Sequence, residues 1–220
     1  MPWLDGAGLF ELTPHLVPTI PHQTVDRSGF NPNAELPYQL RPEDFALAMQ
    51  DVYDFFHDVN ENLVSKGLQR LEDMLEKRKA TLSGLLSDFI TASLATHART
   101  LTENTWPNGH PDLVVKGQYA NDGVQNGEEG VEVKSTKNKG GAVDMHGARD
   151  QWLCVFVYKI DNETQPARAR RPLTFTSIYL GYVTCADFRK NARGELGTRT
   201  ATLHRDGIAK FRECWLYRSG

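Results

Sequence analysis

Two short apolar segments of this 220-residue chain carry acidic and basic side chains at a spacing that permits chemistry. Asp112, preceded by a proline, opens a Leu-Val-Val run, and a second run carries Glu132 and Lys134. Because side chains alternate between the faces of a strand, Glu132 and Lys134 share one face while Val131 and Val133 point into the core. The connector between the two runs is rich in Gly, Asn and Asp, which predicts a hairpin loop.

Such a hairpin predicts a site for metal-assisted hydrolysis of a phosphodiester. Mg²⁺ prefers oxygen ligands, keeps several waters and takes one or two protein carboxylates. Asp112 and Glu132 are the predicted carboxylate ligands, and the carbonyl of Val133 is a further one. The metal would lower the pKa of a bound water and stabilise charge growing on the phosphate oxygens. Lys134 would orient the attacking water or offset that charge.

The residues Pro111-Asp112 and Glu132-Val133-Lys134 resemble the motif of the PD-(D/E)xK nuclease superfamily. The resemblance covers roughly residues 80–185 and is strongest from Val131 to Thr136. It implies an α/β, restriction-endonuclease-like fold, in which a mixed central β-sheet carries the motif on a hairpin and is flanked by helices. It also implies Mg²⁺ as the cofactor and Asp112, Glu132 and Lys134 as the catalytic residues. Without the resemblance, the second run also fits a strand with an ordinary exposed Glu/Lys pair.

In this superfamily a helix before the hairpin often contributes another acidic residue. Asp88 is the only acidic residue of the helix expected from about Ser83 to His97. The resemblance therefore implies Asp88 as a possible additional acidic residue, with Glu103 as a competing candidate and a solvated surface aspartate as the alternative.

The apolar pattern divides the chain into three segments. Residues 1–40 hold six prolines and predict an extended arm. Residues 41–80 predict a helical segment, with apolar side chains at three- and four-residue spacing from Phe45 onward and a break near residues 60–62. Residues 81–220 predict the nuclease core with a basic C-terminal part, including a fully buried strand over 152–158 and another strand over 177–184.

Charge is distributed unevenly along the chain. Residues 1–133 contain 9 Lys/Arg and 20 Asp/Glu, whereas residues 134–220 contain 16 and 8. This asymmetry is typical of a nucleic-acid-facing segment on an acidic scaffold, although opposite charges pairing within one fold would also produce it. The candidate DNA-binding residues are the basic side chains that follow Lys134: Lys137, Lys139, Arg149, Arg168, Arg170 and Arg171.

Several classes of protein are disfavoured by the sequence. Three widely spaced cysteines support neither a zinc site nor a disulfide framework, and no apolar window is long enough for a membrane span. The first residues lack the features of a signal peptide, so we expect a cytoplasmic protein. No Walker loop, zincin helix or Gly-x-Ser-x-Gly elbow is present.

The sequence thus predicts a Mg²⁺-dependent endonuclease acting on double-stranded DNA, of the type II restriction kind. The alternatives are a phage-defence, repair or junction-resolving nuclease with the same site, or a nucleic-acid-binding module that has lost activity. A protein-interaction scaffold becomes the better hypothesis if Asp112 and Glu132 lie too far apart to share a metal. Because a double-strand break needs two sites, we expect a homodimer, with the apolar surface of Phe45 to Leu75 as its interface.

Overall fold

Three helices precede the sheet in the computed structural model, which describes residues 20–190 and 200–220. They are α1 (Pro42–Ser65), α2 (Leu71–Met74) and α3 (Lys79–His97). Helix α1 begins with proline in its first turn, followed by Glu43 and Asp44, whose charges suit the positive end of the helix. The first nineteen residues of the predicted arm lie outside the described part of the chain.

The predicted helix break near residues 60–62 is wrong, because Asn60 lies inside α1. Its amide is buried, donates to Glu72 Oε2 at 2.8 Å and accepts a hydrogen bond from the backbone nitrogen of Leu71, also at 2.8 Å. The side chain therefore holds the start of α2 instead of interrupting α1. The helix ends five residues later, before Gly67, which has the positive φ that favours glycine.

The central sheet is mixed, as predicted. Its strands are β1 (Leu101–Glu103), β2 (Leu113–Val115), β3 (Val131–Thr136), β5 (Gln151–Lys159), β6 (Thr174–Val183) and β9 (Trp215–Arg218). They lie in the order β1-β2-β3-β5-β6-β9; β3 and β5 are parallel and the other neighbours are antiparallel. The crossover between the parallel strands, residues 137–150, contains the short strand β4 (Asp144–Met145). The α/β class and the mixed central sheet flanked by helices are therefore confirmed.

The hairpin of β2 and β3 forms as the sequence predicts, with Leu113 opposite Val131. Gly130 stands immediately before β3 at a φ of 139°, and a Cβ there would clash with the carbonyl of Leu113. Its backbone nitrogen donates to the hydroxyl of Tyr38 at 3.0 Å. Only glycine fits so close an approach of the two backbones, so this residue sets the entry into β3.

The two faces of the sheet carry different cores. Val133 and Phe156 lie in the core shared with α1 and α3, whereas Leu153 and Val155 lie in a second core. The second core is covered by α4 (Arg205–Glu213) and by a small sheet in the order β4-β8-β7, with β8 at Ala201–Leu203 and β7 at Phe188–Lys190. The register of β3 with β5 pairs Glu132 with Leu153 and Lys134 with Val155, which puts both charged residues on the second face.

The apolar stripe of α1 that begins at Phe45 is covered by the chain itself. Phe45, Met49, Val52 and Phe56 are all buried in the core that α1 shares with the sheet. The expected dimer interface is therefore wrong for this stripe, because the six-stranded sheet and α3 bury it. Leu68 and Met74, farther along the predicted segment, are 52% and 50% exposed, so an interface at that end stays a prediction.

The described residues contain no helix that combines the length and apolarity needed to cross a membrane.

Candidate active site

The three predicted catalytic residues converge on one ammonium group. Lys134 Nζ lies 2.6 Å from Glu132 Oε1 and 3.1 Å from Asp112 Oδ2, and it donates to the carbonyl of Val133 at 3.1 Å. The backbone nitrogen of Val133 donates to the same Asp112 oxygen at 2.8 Å. Two carboxylates and one carbonyl oxygen therefore surround a single point, which a sequence separation of twenty residues alone does not guarantee.

The hairpin produces this convergence for a simple geometric reason. Leu113 pairs with Val131 and points to the helical core. Because the strands are antiparallel, Asp112, which precedes Leu113, lies beside Glu132, which follows Val131, and both are on the opposite face. Lys134 follows Glu132 by two residues, and its long side chain reaches back to both carboxylates.

His110 is a member of the site that the sequence reasoning missed. Its Nδ1 lies 3.2 Å from Glu132 Oε2, a hydrogen bond when Nδ1 carries the proton. Glu132 thus has a partner on each oxygen, Lys134 on one and His110 on the other. Its position two residues before Asp112 was the only feature of the sequence that could have suggested a role in the site. Nothing in a single sequence shows that its ring turns toward Glu132 on β3.

The electrostatics of the cluster differ between the two carboxyls. Glu132 is 1% exposed; its burial opposes ionisation, but the hydrogen bond with His110 and the charge of Lys134 outweigh it and lower the pKa to about 2. Burial, together with the negative charge of Glu132, raises the pKa of Asp112. Burial would lower the pKa of Lys134, but the two carboxylates raise it above its usual value, so the amine stays protonated.

The donor set fits Mg²⁺ better than a transition metal. Mg²⁺ needs only one or two carboxylates and completes its shell with water, whereas zinc sites take three or four Cys, His or carboxylate ligands. Among the described residues no group of three or more His, Cys, Asp and Glu side chains is arranged to hold a metal ion. Asp112, Glu132 and the carbonyl of Val133 would be the ligands, and the ion would take over the counter-charge that Lys134 supplies.

Asp88 and Glu103, the further acidic candidates, line the same cavity as Asp112. The cavity has a volume of about 300 Å³ and lies between α3 and the loop that joins β1 to β2. Asp88 is exposed on α3, and Glu103 is exposed at the end of β1. Both are neighbours of the site, although neither is grouped with Asp112 and Glu132 in an arrangement that holds a metal.

Lys137 and Lys139 line a larger cavity, of about 630 Å³, together with a third lysine, Lys159. Its wall includes the hydroxyl-bearing residues Thr176 and Ser177. The cavity therefore lies where β3 and β5 end and β6 begins. Burial lowers the pKa of Lys137 relative to an ordinary surface lysine. The sequence did not single out Lys159, which only the parallel pairing of β3 and β5 brings to this place.

The predicted DNA-binding arginines do not form one group. Arg170 is 13% exposed and is committed to Asp73, 3.1 Å away, and to the carbonyl of Thr164. Arg171 is 76% exposed, with Asp161 at 3.9 Å. Arg149 is partly buried and donates to Asn126 Oδ1 at 3.1 Å. The side chain of Arg168 lies outside the described part of the structure. Arg170 therefore helps hold α2 in place. Its charge is already paired with Asp73, so it is not free to bind a phosphate.

Comparison of the chain with protein-family models, with curated proteins and with solved structures gave no match.

Proposed function

We propose that this protein is a Mg²⁺-dependent endonuclease that hydrolyses phosphodiester bonds of double-stranded DNA, with a restriction-endonuclease-like fold and a type II restriction activity. The observation that carries the proposal is the convergence of Asp112, Glu132 and the Val133 carbonyl on Lys134 Nζ at one end of a β-hairpin. These are the two carboxylates, the carbonyl and the cation that the resemblance of the motif implies for metal-assisted phosphodiester hydrolysis.

Each residue has a distinct task in this proposal. The bound Mg²⁺, held by Asp112, Glu132 and the carbonyl of Val133, would lower the pKa of a water and stabilise charge on the phosphate. The ammonium of Lys134 orients that water or offsets the charge in the transition state. His110 holds Glu132 in place through its second oxygen.

A nucleic acid is the class of substrate that the distribution of charge favours, and double-stranded DNA is the one that the resemblance of the motif implies. The cavity of Lys137, Lys139 and Lys159 begins three residues beyond Lys134, about 10 Å along an extended chain. In this proposal the three lysines contact the phosphate backbone as it continues from the site, and the positive balance of residues 134–220 is in keeping with a nucleic-acid substrate. A homodimer remains part of the proposal because two sites are needed to cut two strands. We place this activity in the cytoplasm, as expected from the sequence.

The proposal is tested by incubating the purified chain with supercoiled plasmid in Mg²⁺ or in EDTA. We expect nicked and linear products in Mg²⁺ and intact plasmid in EDTA, because the carboxylates alone provide no activated water. Linear product appearing without a nicked intermediate indicates two cooperating sites, whereas nicked product alone contradicts the dimer and supports a single-site nuclease. DNA binding without cleavage in Mg²⁺ or Mn²⁺ would overturn the enzyme proposal in favour of an inactive binding module.

Reversal of charge in the lysine cavity should weaken DNA binding in a salt-dependent way. In a Lys137→Glu/Lys139→Glu variant, the slope of log K against log salt should become shallower by about 0.9 for each phosphate that the protein no longer neutralises. The slope is measured by fluorescence anisotropy in EDTA, with Lys66→Glu as the control, since Lys66 is an exposed lysine at the end of α1. An unchanged slope in the double variant would remove this cavity from the DNA path.

A further inference from the structure

An exposed tryptophan stands beside the proposed active site. Trp106, in the loop between β1 and β2, is 49% exposed, one of four large apolar side chains that are exposed in the described part of the chain. It lines the cavity of about 300 Å³ that also contains Asp112. Tryptophan is usually well buried in a folded domain, and an exposed ring that lines the same cavity as a proposed metal ligand is a candidate contact for the substrate.

The loop that carries Trp106 is held rigidly by one side chain. Asn104 Oδ1 accepts hydrogen bonds from the backbone nitrogens of Trp106 at 3.1 Å and Val124 at 3.0 Å. Asn104 Nδ2 donates to the carbonyls of Pro111 at 2.9 Å and Val124 at 2.8 Å. The amide thereby ties the tryptophan loop to the loop of the active-site hairpin and to the residue before Asp112.

Further bonds close the same turn. Thr105 donates from its backbone nitrogen to the carbonyl of Asp122 at 3.1 Å and from its hydroxyl to that of Asn121 at 2.8 Å. Gly109 donates to the carbonyl of Trp106 at 2.8 Å, and a Cβ at this glycine would clash with the carbonyl of Val124. The backbone of Trp106 is thus fixed before any ligand arrives, so binding to the ring costs little ordering of the loop.

The surroundings of the ring determine which part of a nucleic acid fits. Asp88 and Glu103, which hold no metal in the proposed function, line the same cavity, and their negative charge disfavours a second phosphate beside that of the cleavage site. A nucleobase carries no charge, offers a flat face for stacking on an indole, and presents N–H groups that carboxylates accept. Bases inside a duplex are stacked on each other, so only a base that has left its stack can reach Trp106.

We propose that Trp106 stacks on one unstacked nucleobase of the DNA strand, next to the scissile phosphate of the proposed site at Asp112 and Glu132. The inference rests on the proposed function and deepens it, since it requires the substrate to present a base turned out of the duplex beside the cleavage site. Trp106 would then contribute to binding and to the position of the cut, while the metal site performs the hydrolysis.

The test compares Trp106→Ala and Trp106→Phe with the native protein on two matched duplexes, one intact and one with a single abasic position. That position is chosen from a scan along the duplex as the one that most weakens binding of the native protein. We expect Trp106→Ala to weaken binding of the intact duplex by about 5- to 100-fold and Trp106→Phe to retain most of the affinity. On the abasic duplex, the native protein and Trp106→Ala should bind alike. Tyr182→Ala is the matched control, because Tyr182 is 47% exposed and does not line this cavity.

Binding is measured by anisotropy in EDTA, so the readout does not depend on hydrolysis. If Trp106→Ala loses the same affinity on intact and abasic DNA, the stacking proposal is overturned. It is also overturned if Trp106→Ala binds both duplexes as tightly as the native protein does. The base-dependent loss without plasmid cleavage in Mg²⁺ would support the stacking contact while overturning the nuclease proposal. If the native protein cleaves plasmid and Trp106→Ala changes neither the affinity for DNA nor the rate or position of the cut, the nuclease proposal is supported and the stacking contact is overturned.

Discussion

Replacing Asp112 by asparagine is expected to abolish Mg²⁺-dependent DNA cleavage while leaving the fold and DNA affinity in place. The amide keeps the shape of the carboxylate, and its oxygen can still accept the hydrogen bond that the backbone nitrogen of Val133 donates. It loses the negative charge that holds the ion, so the cleavage rate should fall by about 10³-fold or more. Most affinity for DNA comes from phosphate contacts elsewhere, which the substitution does not touch. Glu132→Gln should behave in the same way.

The measurement is single-turnover cleavage alongside DNA affinity and the thermal unfolding midpoint of each variant. Glu128→Gln serves as the matched control, because Glu128 is an exposed carboxylate in the loop of the same hairpin. Native activity in EDTA, or in Asp112→Asn with Mg²⁺, would exclude this cluster as a metal-dependent site. If Asp112→Asn loses activity because it unfolds, the cleavage rate of Glu132→Gln and the activity of the native protein in EDTA test the metal site instead.

Lys134→Ala is expected to lower the cleavage rate by about 10²- to 10³-fold, the usual effect of removing one electrostatic stabiliser from an active site. The same substitution should destabilise the metal-free protein, because the two carboxylates then lose the ammonium that lies 2.6 Å and 3.1 Å from them. The loss should be smaller than the roughly 3–5 kcal/mol of a fully stranded buried charge, since Glu132 keeps its hydrogen bond with His110.

Mg²⁺ should restore part of that stability, and this gives Lys134 a readout independent of cleavage. An ion bound by the two carboxylates replaces the missing counter-charge, so Mg²⁺ should raise the unfolding midpoint of Lys134→Ala by more than that of the native protein. Lys66→Ala provides a control that removes an exposed lysine at the end of α1, outside the proposed site and the lysine cavity. A rate change of less than about tenfold, or equal shifts of the midpoint with Mg²⁺, would assign Lys134 to an ordinary ion pair.

The hairpin and its reactive side chains were predictable from the sequence because they depend on local rules. Strand alternation puts Glu132 and Lys134 on one face, the turn-rich connector brings the two strands together, and Asp112 then falls next to Glu132. The buried central strand was predictable for the same reason, since a continuous apolar run indicates burial on both faces. The mixed directions of the strands were expected from the resemblance of the motif. The nuclease activity, the metal and the DNA partner stay predictions.

Contacts between distant parts of the chain decided the rest. The sequence of α1 shows an apolar stripe but does not show whether that stripe packs against a partner or against the protein's own sheet. The packing against Phe156 and its neighbours shows that it is the sheet. Arg170 reads as a free surface cation until Asp73, 97 residues earlier, lies beside it. His110 and Trp106 carry no pattern of their own, because their roles depend on which group stands opposite them. Periodicity records which face a residue occupies, whereas its partner is set by tertiary packing.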